Sequence, residues 1–96
     1  MTAYTYMLQC SDGSYYVGST SGELEKRIAE HTAGAYGGYT SSRRPLKLLW
    51  SESFVHIADA IAAERKIKGW SRAKKEALIA GDWERLRILA KRKGVR

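Results

Sequence analysis

The sequence contains only one cysteine, Cys10, so the chain cannot form an intrachain disulfide bond. This fits a reducing compartment, and a lone cysteine in a strand-like segment is interpreted as a small buried side chain rather than a nucleophile. The chain also lacks any run that approaches the ~20 apolar residues of a membrane-spanning helix, and its N-terminus lacks the basic start of a secretion signal. We therefore expect a soluble, cytoplasmic protein that has no membrane partner.

The motifs of several enzyme classes are missing as well. There is no glycine-rich phosphate loop that ends in Lys-Ser/Thr, no nucleophile elbow and no dinucleotide-binding fingerprint. The two histidines are not accompanied by cysteine, histidine or aspartate ligands at the spacing of a zinc site. Phosphate-loop hydrolases, serine hydrolases, dinucleotide-dependent enzymes and zinc proteins are therefore poorly supported.

Acidic residues are scarce in the C-terminal third of the chain. Residues 64–96 contain twelve lysines and arginines against four acidic residues, a net charge of +8, whereas residues 1–63 have a net charge of −1. Such a cationic block indicates a polyanionic partner, and a solvated helical surface is the alternative interpretation. The basic residues that we expect to bind nucleic acid are Arg43, Arg44, Lys68, Arg72, Lys74, Lys75, Arg85, Arg87, Lys91 and Arg92.

Two strand-like segments around the turn Ser11–Ser14 predict a β-hairpin. A tight two-residue Asp-Gly turn would place Tyr6 and Tyr16 on opposite faces of the hairpin. A three-residue loop with Gly13 in the left-handed bulge position would shift the pairing and place both tyrosines on one face. The pattern alone leaves both registers open.

The rest of the chain predicts a third strand and several helices in one domain, residues 1–96, of the α+β class. The expected architecture is a small, mostly antiparallel three-stranded sheet flanked by helices, in the order β-β-α-β-α, with a basic helical extension from about residue 71. The predicted features after the hairpin are a capping box at residues 20–23, a helix from Leu24 to near Gly34, a loop at residues 34–45, a strand at Leu46–Phe54, a helix from near Ile57, a helix at Arg72–Ala80 capped by Ser71, and a last helix to about Lys91 capped by Asp82, with Trp83, Leu86 and Leu89 or Ala90 on its buried side.

Glu64 lies where the helical pattern would place an apolar residue. At 100° per residue its side chain points along the centre of the stripe formed by Ile57, Ala60, Ile61 and Ile67. A carboxylate that faces the protein body must be neutralised, hydrogen-bonded, ion-paired or bound to a metal. Position alone leaves open both a structural role, with an arginine or backbone amides as partners, and a metal-binding or catalytic role.

Arg27 and His31 are four residues apart on the first predicted helix and therefore share one face. Arg27 could form a surface ion pair with Glu23 or clamp a phosphate group. His31 could be a general base, a metal ligand or a cap of the helix C-terminus.

Taken in order, these residues resemble the GIY-YIG nuclease domain from residue 4 to about residue 70. The segments that carry the resemblance are Tyr4–Leu8, Tyr15–Ser19, Arg27 with His31, and Glu64, and the segments Tyr39–Pro45 and Ile67–Arg72 are similar to small stand-alone bacterial members. The first motif reads Tyr4-Thr5-Tyr6 and lacks the Gly-Ile of the family name, although its tyrosine is kept.

The resemblance implies a metal-dependent endonuclease that hydrolyses phosphodiester bonds, in DNA rather than RNA, in repair or recombination. It implies that Tyr6 is the general base, that Tyr16 orients groups and that Arg27 contacts the scissile phosphate. His31 completes the expected catalytic set, and Glu64 is expected to hold a single Mg²⁺ or Mn²⁺ ion. Such a site needs both tyrosines on one face of the hairpin. A nucleic-acid-binding module without catalysis is the alternative, and the oligomeric state stays open.

Overall fold

The computed structural model describes the backbone of residues 2–35 and 37–94, and the side chains within these ranges as far as Lys91. The elements are β1 (Ala3–Gln9), β2 (Tyr15–Thr20), α1 (Leu24–Thr32), α2 (Gly38–Ser41), β3 (Lys47–Phe54), α3 (Ile57–Lys68), α4 (Arg72–Ala80) and α5 (Trp83–Gly94). They confirm the predicted α+β class. Across the described ranges, none of these helices has the length and apolar character needed to cross a membrane.

The three strands form one antiparallel sheet in the order β2-β1-β3. Strand β1 is central because its side chains are apolar or small on both faces, and helices cover both of those faces. Met7 and Leu8 are consecutive and therefore point to opposite faces, yet both are fully buried. Each such side chain contributes roughly 1.5–3 kcal/mol through burial. Strand β2 is left at one edge of the sheet.

The hairpin uses the three-residue loop. The amide of Cys10 donates to the Ser14 carbonyl at 2.8 Å, and the amide of Gly13 donates to the Cys10 carbonyl at 2.9 Å. Gly13 has a φ of 85°, a conformation that side chains other than hydrogen rarely adopt. In this register Tyr6 and Tyr16 lie on the same face of the sheet, as the inferred site requires.

Each face of the sheet has its own apolar cluster. The α1 face is the face that carries Tyr6 and Leu8 and packs on Leu24 of α1. The α3 face is the opposite one, where Met7, Val17, Ile67 and Leu78 form the other cluster with α3 and α4. The two faces matter for function because the predicted site residues are divided between them.

A buried hydrogen bond fixes α3 on the sheet. The hydroxyl of Thr5 donates to the carbonyl of Ala60 at 2.7 Å, and neither residue is exposed. The small side chain of Ala60 lets the helix approach the strand closely. Glu64 lies one helical turn further along and reaches the edge strand β2. The buried stripe is narrower than predicted, because Ile57 at the first turn of α3 is 39% exposed.

Helix starts that depend on local side chains are confirmed for the last two helices. Ser71 caps α4 by accepting from the Lys74 amide at 3.2 Å, and Asp82 caps α5 by accepting from the Arg85 amide at 3.1 Å. Both caps satisfy backbone N–H groups that the first turn of a helix leaves unpaired.

The predicted capping box before α1 is wrong. The hydroxyl of Thr20 accepts from the amide of Gly22 at 3.2 Å, inside the turn, and Glu23 is the N-cap residue without a side-chain cap. The Thr20 hydroxyl is therefore engaged within the turn and does not cap the helix. The predicted loop at residues 34–45 also differs, because it contains the short helix α2 with Thr40 buried.

The last helix covers only part of the side predicted to be buried, with Leu86 and Leu89 half-buried. Trp83 is 62% exposed and Ala90 is also exposed, whereas Leu86 packs against the α3-face cluster. Helix α5 packs mainly on α4. Only a narrow part of its apolar stripe is therefore covered.

Candidate active site

A buried chain of hydrogen bonds joins three side chains on the α1 face. The hydroxyl of Tyr6 lies 2.9 Å from Nε2 of His31, and Nδ1 of His31 lies 3.0 Å from the hydroxyl of Thr40. All three residues are buried, with Tyr6 only 1% exposed. Because Tyr6 comes from β1, His31 from α1 and Thr40 from α2, the chain links three separate elements.

Gly18 makes room for the Tyr6 phenol. A Cβ atom at position 18 would lie 2.5 Å from the phenol oxygen and 2.7 Å from Cζ of Tyr6, closer than carbon and oxygen atoms can pack. The φ of Gly18 is not in the left-handed region, so space and not backbone strain requires glycine here. Strand β2 and the Tyr6 ring therefore approach each other more closely at Gly18 than any side chain would allow.

The protonation of His31 follows from its surroundings. Burial lowers the pKa of His31, the nearby Arg27 guanidinium lowers it further, and Glu30 opposes these effects in part. The imidazole is therefore neutral at pH 7. If Nδ1 carries the proton and donates to Thr40, Nε2 can accept from the Tyr6 hydroxyl, and this tautomer is inferred from the hydrogen-bond partners.

Arg27 lies one helical turn before His31 on α1, as predicted. Its Nε lies 3.9 Å from Glu30 Oε1, so Arg27 forms an ion pair with the residue three positions later on the helix. The Arg27 side chain is partly exposed and lines a depression of about 300 Å³ with Lys26, Glu30 and the turn at residues 20–23. Its guanidinium can therefore meet a ligand from solvent.

Tyr16 connects the buried chain with the surface. Its ring packs edge-on against His31 with the centroids 5.2 Å apart, and it stacks with the ring of Tyr39 at 6.2 Å. It also borders the tyrosine cleft, which we define as the open cleft of about 230 Å³ lined by Tyr15, Tyr16, Val17, Tyr39, Lys68 and Lys75. The cleft puts two cations beside the aromatic side of the site.

Glu64 lies on the α3 face, across the edge strand from Tyr6. Its carboxylate accepts a hydrogen bond from Ser19 and forms an ion pair with Lys68, whose Nζ lies 2.7 Å from Oε2. The partner is therefore a lysine one turn along the same helix and not the arginine expected for a structural role. The Glu64 side chain is 18% exposed, so the carboxylate is mostly covered but still accessible to solvent.

The pKa of Glu64 reflects opposing effects. Burial alone would raise it, but hydrogen bonds from Lys68 and Ser19 and the charges of Lys68 and Arg65 together hold it below its ordinary value. The carboxylate is therefore ionised at neutral pH, as a ligand for a hard cation must be.

Strand β2 separates the two halves of the candidate site. Side chains alternate along the strand, so Tyr16 and Gly18 face α1 while Ser19 faces α3. Tyr6, Tyr16, His31 and Arg27 form one half, and Glu64 with Lys68 forms the other. The ammonium of Lys68 lies 6.0 Å from the Tyr16 ring and links the halves around the edge of the sheet.

The donor atoms at Glu64 fit a magnesium or manganese ion better than a zinc ion. Among the residues that the structure describes, no three His, Cys, Asp or Glu side chains are grouped as a metal site. A zinc site would need such a group, whereas Mg²⁺ keeps most of its waters and is commonly held by one or two carboxylates. Glu64, with the Ser19 hydroxyl beside it, meets that smaller requirement.

Sequence reasoning missed three hydroxyl residues that position the site. Thr5 anchors α3, Ser19 orients the Glu64 carboxylate, and Thr40 holds the imidazole of His31. Strand alternation could have identified Ser19, because the residue after Gly18 must face the side opposite to Tyr6. Nothing local marks Thr40, whose role depends on the packing of α2 against α1.

The basic residues predicted to bind nucleic acid divide into exposed and structural ones. The exposed or half-exposed members are Lys68, Lys75, Arg85, Arg87 and Lys91. The side chain of Arg92 lies outside the described residues. Lys74 is only 8% exposed and its Nζ lies 4.7 Å from the ring centroid of Trp70, so its prediction as a surface contact is wrong. Its helix turns that side chain towards the α3 face.

The three remaining arginines hold loops together. Arg43 donates to Asp12 at 3.1 Å, and Arg44 donates to the carbonyls of Ser41 and Thr32. Arg72 pairs with Glu76 at 3.1 Å. It also donates to the Gly13 carbonyl at 3.0 Å. These contacts give the three guanidinium groups structural roles, whatever else they bind.

The chain is similar to known proteins along most of its length. The model of the GIY-YIG catalytic domain matches residues 2–77. A UPF0213 protein of Halobacterium salinarum is 45% identical over 76 residues, which cover 79% of this chain and 97% of the relative. A UPF0213 protein of Syntrophus aciditrophicus is 44% identical over 84 residues, which cover 86% and 95%.

Two solved structures are similar in sequence and in fold. The solution structure of a UPF0213 protein from Bacillus halodurans is 38% identical, with a TM-score of 0.54, and the match covers 83% of this chain and 84% of that one. The solution structure of a protein from E. faecalis is 36% identical, with a TM-score of 0.58, and the match covers 84% and 85%. The names of these relatives state no reaction.

Proposed function

Because the chain belongs to the GIY-YIG family, whose catalytic domain has a nuclease-type fold, we propose that it is a metal-dependent endonuclease that hydrolyses phosphodiester bonds in nucleic acid. DNA is the substrate that we propose first, in repair or recombination, and a disulfide-free chain fits action in the cytoplasm. The observation that carries the proposal is the buried chain from Tyr6 through His31 to Thr40, next to Arg27 and across one strand from an ionised carboxylate.

The proton acceptor in this proposal is the pair of Tyr6 and His31. Tyr6 is buried and its hydroxyl lies 2.9 Å from Nε2 of a neutral imidazole. When the phenol oxygen takes a proton from the attacking water, Nε2 takes the phenol's own proton, so charge moves to the imidazole. The pair needs no free phenolate at neutral pH, which an isolated tyrosine with a pKa of about 10 would require.

Arg27 and Tyr16 act on the substrate side. The partly exposed guanidinium of Arg27 can donate to two oxygens of the scissile phosphate, and its positive charge stabilises the negative charge that develops on them. Tyr16 borders the tyrosine cleft and orients the groups that enter it. The exposed lysines and arginines bind the flanking phosphates without reading sequence.

Glu64 would hold a single divalent ion, Mg²⁺ or Mn²⁺, with Ser19 orienting its carboxylate. Such an ion supplies stabilisation of negative charge at the leaving oxygen. Ionisation of Glu64 at neutral pH supports this role, since the carboxylate needs no deprotonation before a cation binds.

A second function is favoured by one observation. Lys68 already neutralises Glu64, so the same residues could form a nucleic-acid-binding module in which the carboxylate is structural. The two functions are separated by incubation with single-stranded, duplex, flap and branched DNA and RNA, with Mg²⁺, Mn²⁺ or chelator. We expect cleavage that needs the metal and is lost in Y6F and E64Q. Binding without cleavage of any of these substrates would support the module instead.

A further inference from the structure

The ion pair between Lys68 and Glu64 occupies one oxygen of the proposed metal ligand. The ammonium lies 2.7 Å from Oε2, where a cation would bind that oxygen. We propose that Lys68 is a displaceable counter-ion of Glu64: it neutralises the carboxylate while no metal is bound and leaves when a divalent ion takes its place. The proposal rests on the proposed function, because it assumes that Glu64 is the metal ligand.

The displacement is easy because the lysine is held weakly. Its side chain is 50% exposed, and an ion pair between residues four apart on a helix surface contributes little to stability. The released ammonium can move into the tyrosine cleft, beside the ring of Tyr16. It lies 6.0 Å from the ring centroid of Tyr16, at the outer limit of a cation–π contact, and it lines the tyrosine cleft, which is open to water.

A second contact keeps the Glu64 carboxylate in place when a metal ion replaces the lysine. Ser19 donates to Oε1, the other oxygen of Glu64, so it keeps the carboxylate oriented when the lysine leaves Oε2. A mostly covered carboxylate without any counter-ion would be costly, which explains why a cation is kept beside it in the metal-free protein. The lysine therefore stabilises the carboxylate when no metal is bound, and it lowers the affinity for metal because it competes for the same oxygen.

The test measures Mn²⁺ affinity directly, by the electron paramagnetic resonance signal of free Mn²⁺, in wild type and four variants. K68M removes the counter-ion, K68R keeps a cation, K66M removes an exposed charge from the same helix, and E64Q removes the ligand. The dissociation constant of K68M should fall about threefold, the factor by which an ordinary exposed ion pair favours its paired state. K68R and K66M should bind like wild type, and E64Q should lose the site.

Each pattern of Mn²⁺ affinities among the variants either supports or overturns the counter-ion role of Lys68. Tighter binding in K68M alone supports the proposal. Equal or weaker binding in K68M, with the site lost in E64Q, overturns the counter-ion role and leaves the proposed function standing. A gain in K66M equal to that in K68M reduces the effect to net charge and also overturns the proposal. Affinity that E64Q leaves unchanged overturns both the counter-ion role and the metal role of Glu64. Circular dichroism melting confirms that every variant is folded.

Discussion

Replacement of Gly18 by alanine tests the packing that holds the proposed proton acceptor. The added Cβ would lie 2.5 Å from the Tyr6 phenol oxygen, so the ring must move away from the strand. Tyr6 is 1% exposed and enclosed by neighbours, so it cannot move without strain. Overpacking of this kind costs about 1–3 kcal/mol. Alanine also restricts the unfolded chain, which offsets about 0.4–1 kcal/mol.

Gly69 provides a matched control. It also has a negative φ, and a Cβ there would meet only carbonyl oxygens at 3.6 Å and beyond, which is ordinary contact. In urea denaturation we expect G18A to be less stable than wild type by about 1–2 kcal/mol, the overpacking cost less the entropy gain. G69A should be as stable as wild type or slightly more stable.

A double-mutant cycle identifies the clash. Y6F removes the oxygen nearest to the added Cβ, so G18A should cost at least ~0.5 kcal/mol less in the Y6F background than in wild type. G18A should also weaken cleavage, because the displaced phenol loses its hydrogen bond to His31. If G18A is as stable as G69A, or if its cost is the same with and without the Tyr6 hydroxyl, the reasoning about this close approach is refuted.

Two further predictions concern protonation and salt. Since His31 has a pKa lowered by burial, the unfolded chain binds its proton more readily, so stability should fall as the pH drops below about 6.5, and H31Q should lose this pH dependence of urea stability. Activity should fall only at the lower pH at which the folded imidazole takes up its proton. An equal slope in both proteins would contradict the buried neutral imidazole. Five cations are exposed or half-exposed: Lys68, Lys75, Arg85, Arg87 and Lys91. If each neutralises one phosphate, the logarithm of the binding constant for duplex DNA should fall with a slope near −4.5 against the logarithm of the salt concentration. Charge reversal on α5 should flatten this slope, and K74Q should leave it unchanged. Affinity that does not change with salt would make the basic surface a solvated one.

Features fixed by local chemistry were predicted well from the sequence. The caps at Ser71 and Asp82 depend on a side chain three residues from its partner amide, and the α+β order follows from strand and helix patterns. The turn sequence leaves the hairpin register open. The three-residue loop is predicted only because the inferred site needs Tyr6 and Tyr16 on one face, and the positive φ of Gly13 agrees with this loop.

Features that depend on the packing of one element against another were not predictable in the same way. The pattern marks Lys74 as basic and Trp83 as apolar, yet the lysine is buried and the tryptophan exposed, because only the docking of α4 and α5 decides which side is covered. The helix pattern alone predicts that Glu64 faces the protein body. It does not predict the partners of this carboxylate. Ser19 comes from another element, and the sequence analysis interprets Lys68 as a nucleic-acid contact.

The central claim is that Glu64 is a metal ligand and not a structural carboxylate. Because its partner Lys68 is half exposed, E64Q leaves no buried charge behind, and glutamine can still accept from Ser19. The unfolding free energy at pH 7 should therefore fall by less than ~1 kcal/mol. The pKa of Glu64 is lowered in the folded protein. The small stability difference between wild type and E64Q should therefore disappear as the pH falls below the pKa of an ordinary carboxyl group.

The most direct measurement is metal-dependent cleavage by E64Q and wild type, with the melting temperature of both recorded in Mg²⁺ and in chelator. We predict that E64Q loses cleavage by roughly 10³-fold or more, since several kcal/mol of charge stabilisation go with the ion. We also predict that Mg²⁺ raises the melting temperature of wild type only. An E64Q protein that cleaves at the wild-type rate, or that is stabilised by Mg²⁺ as much as wild type, would contradict the assignment.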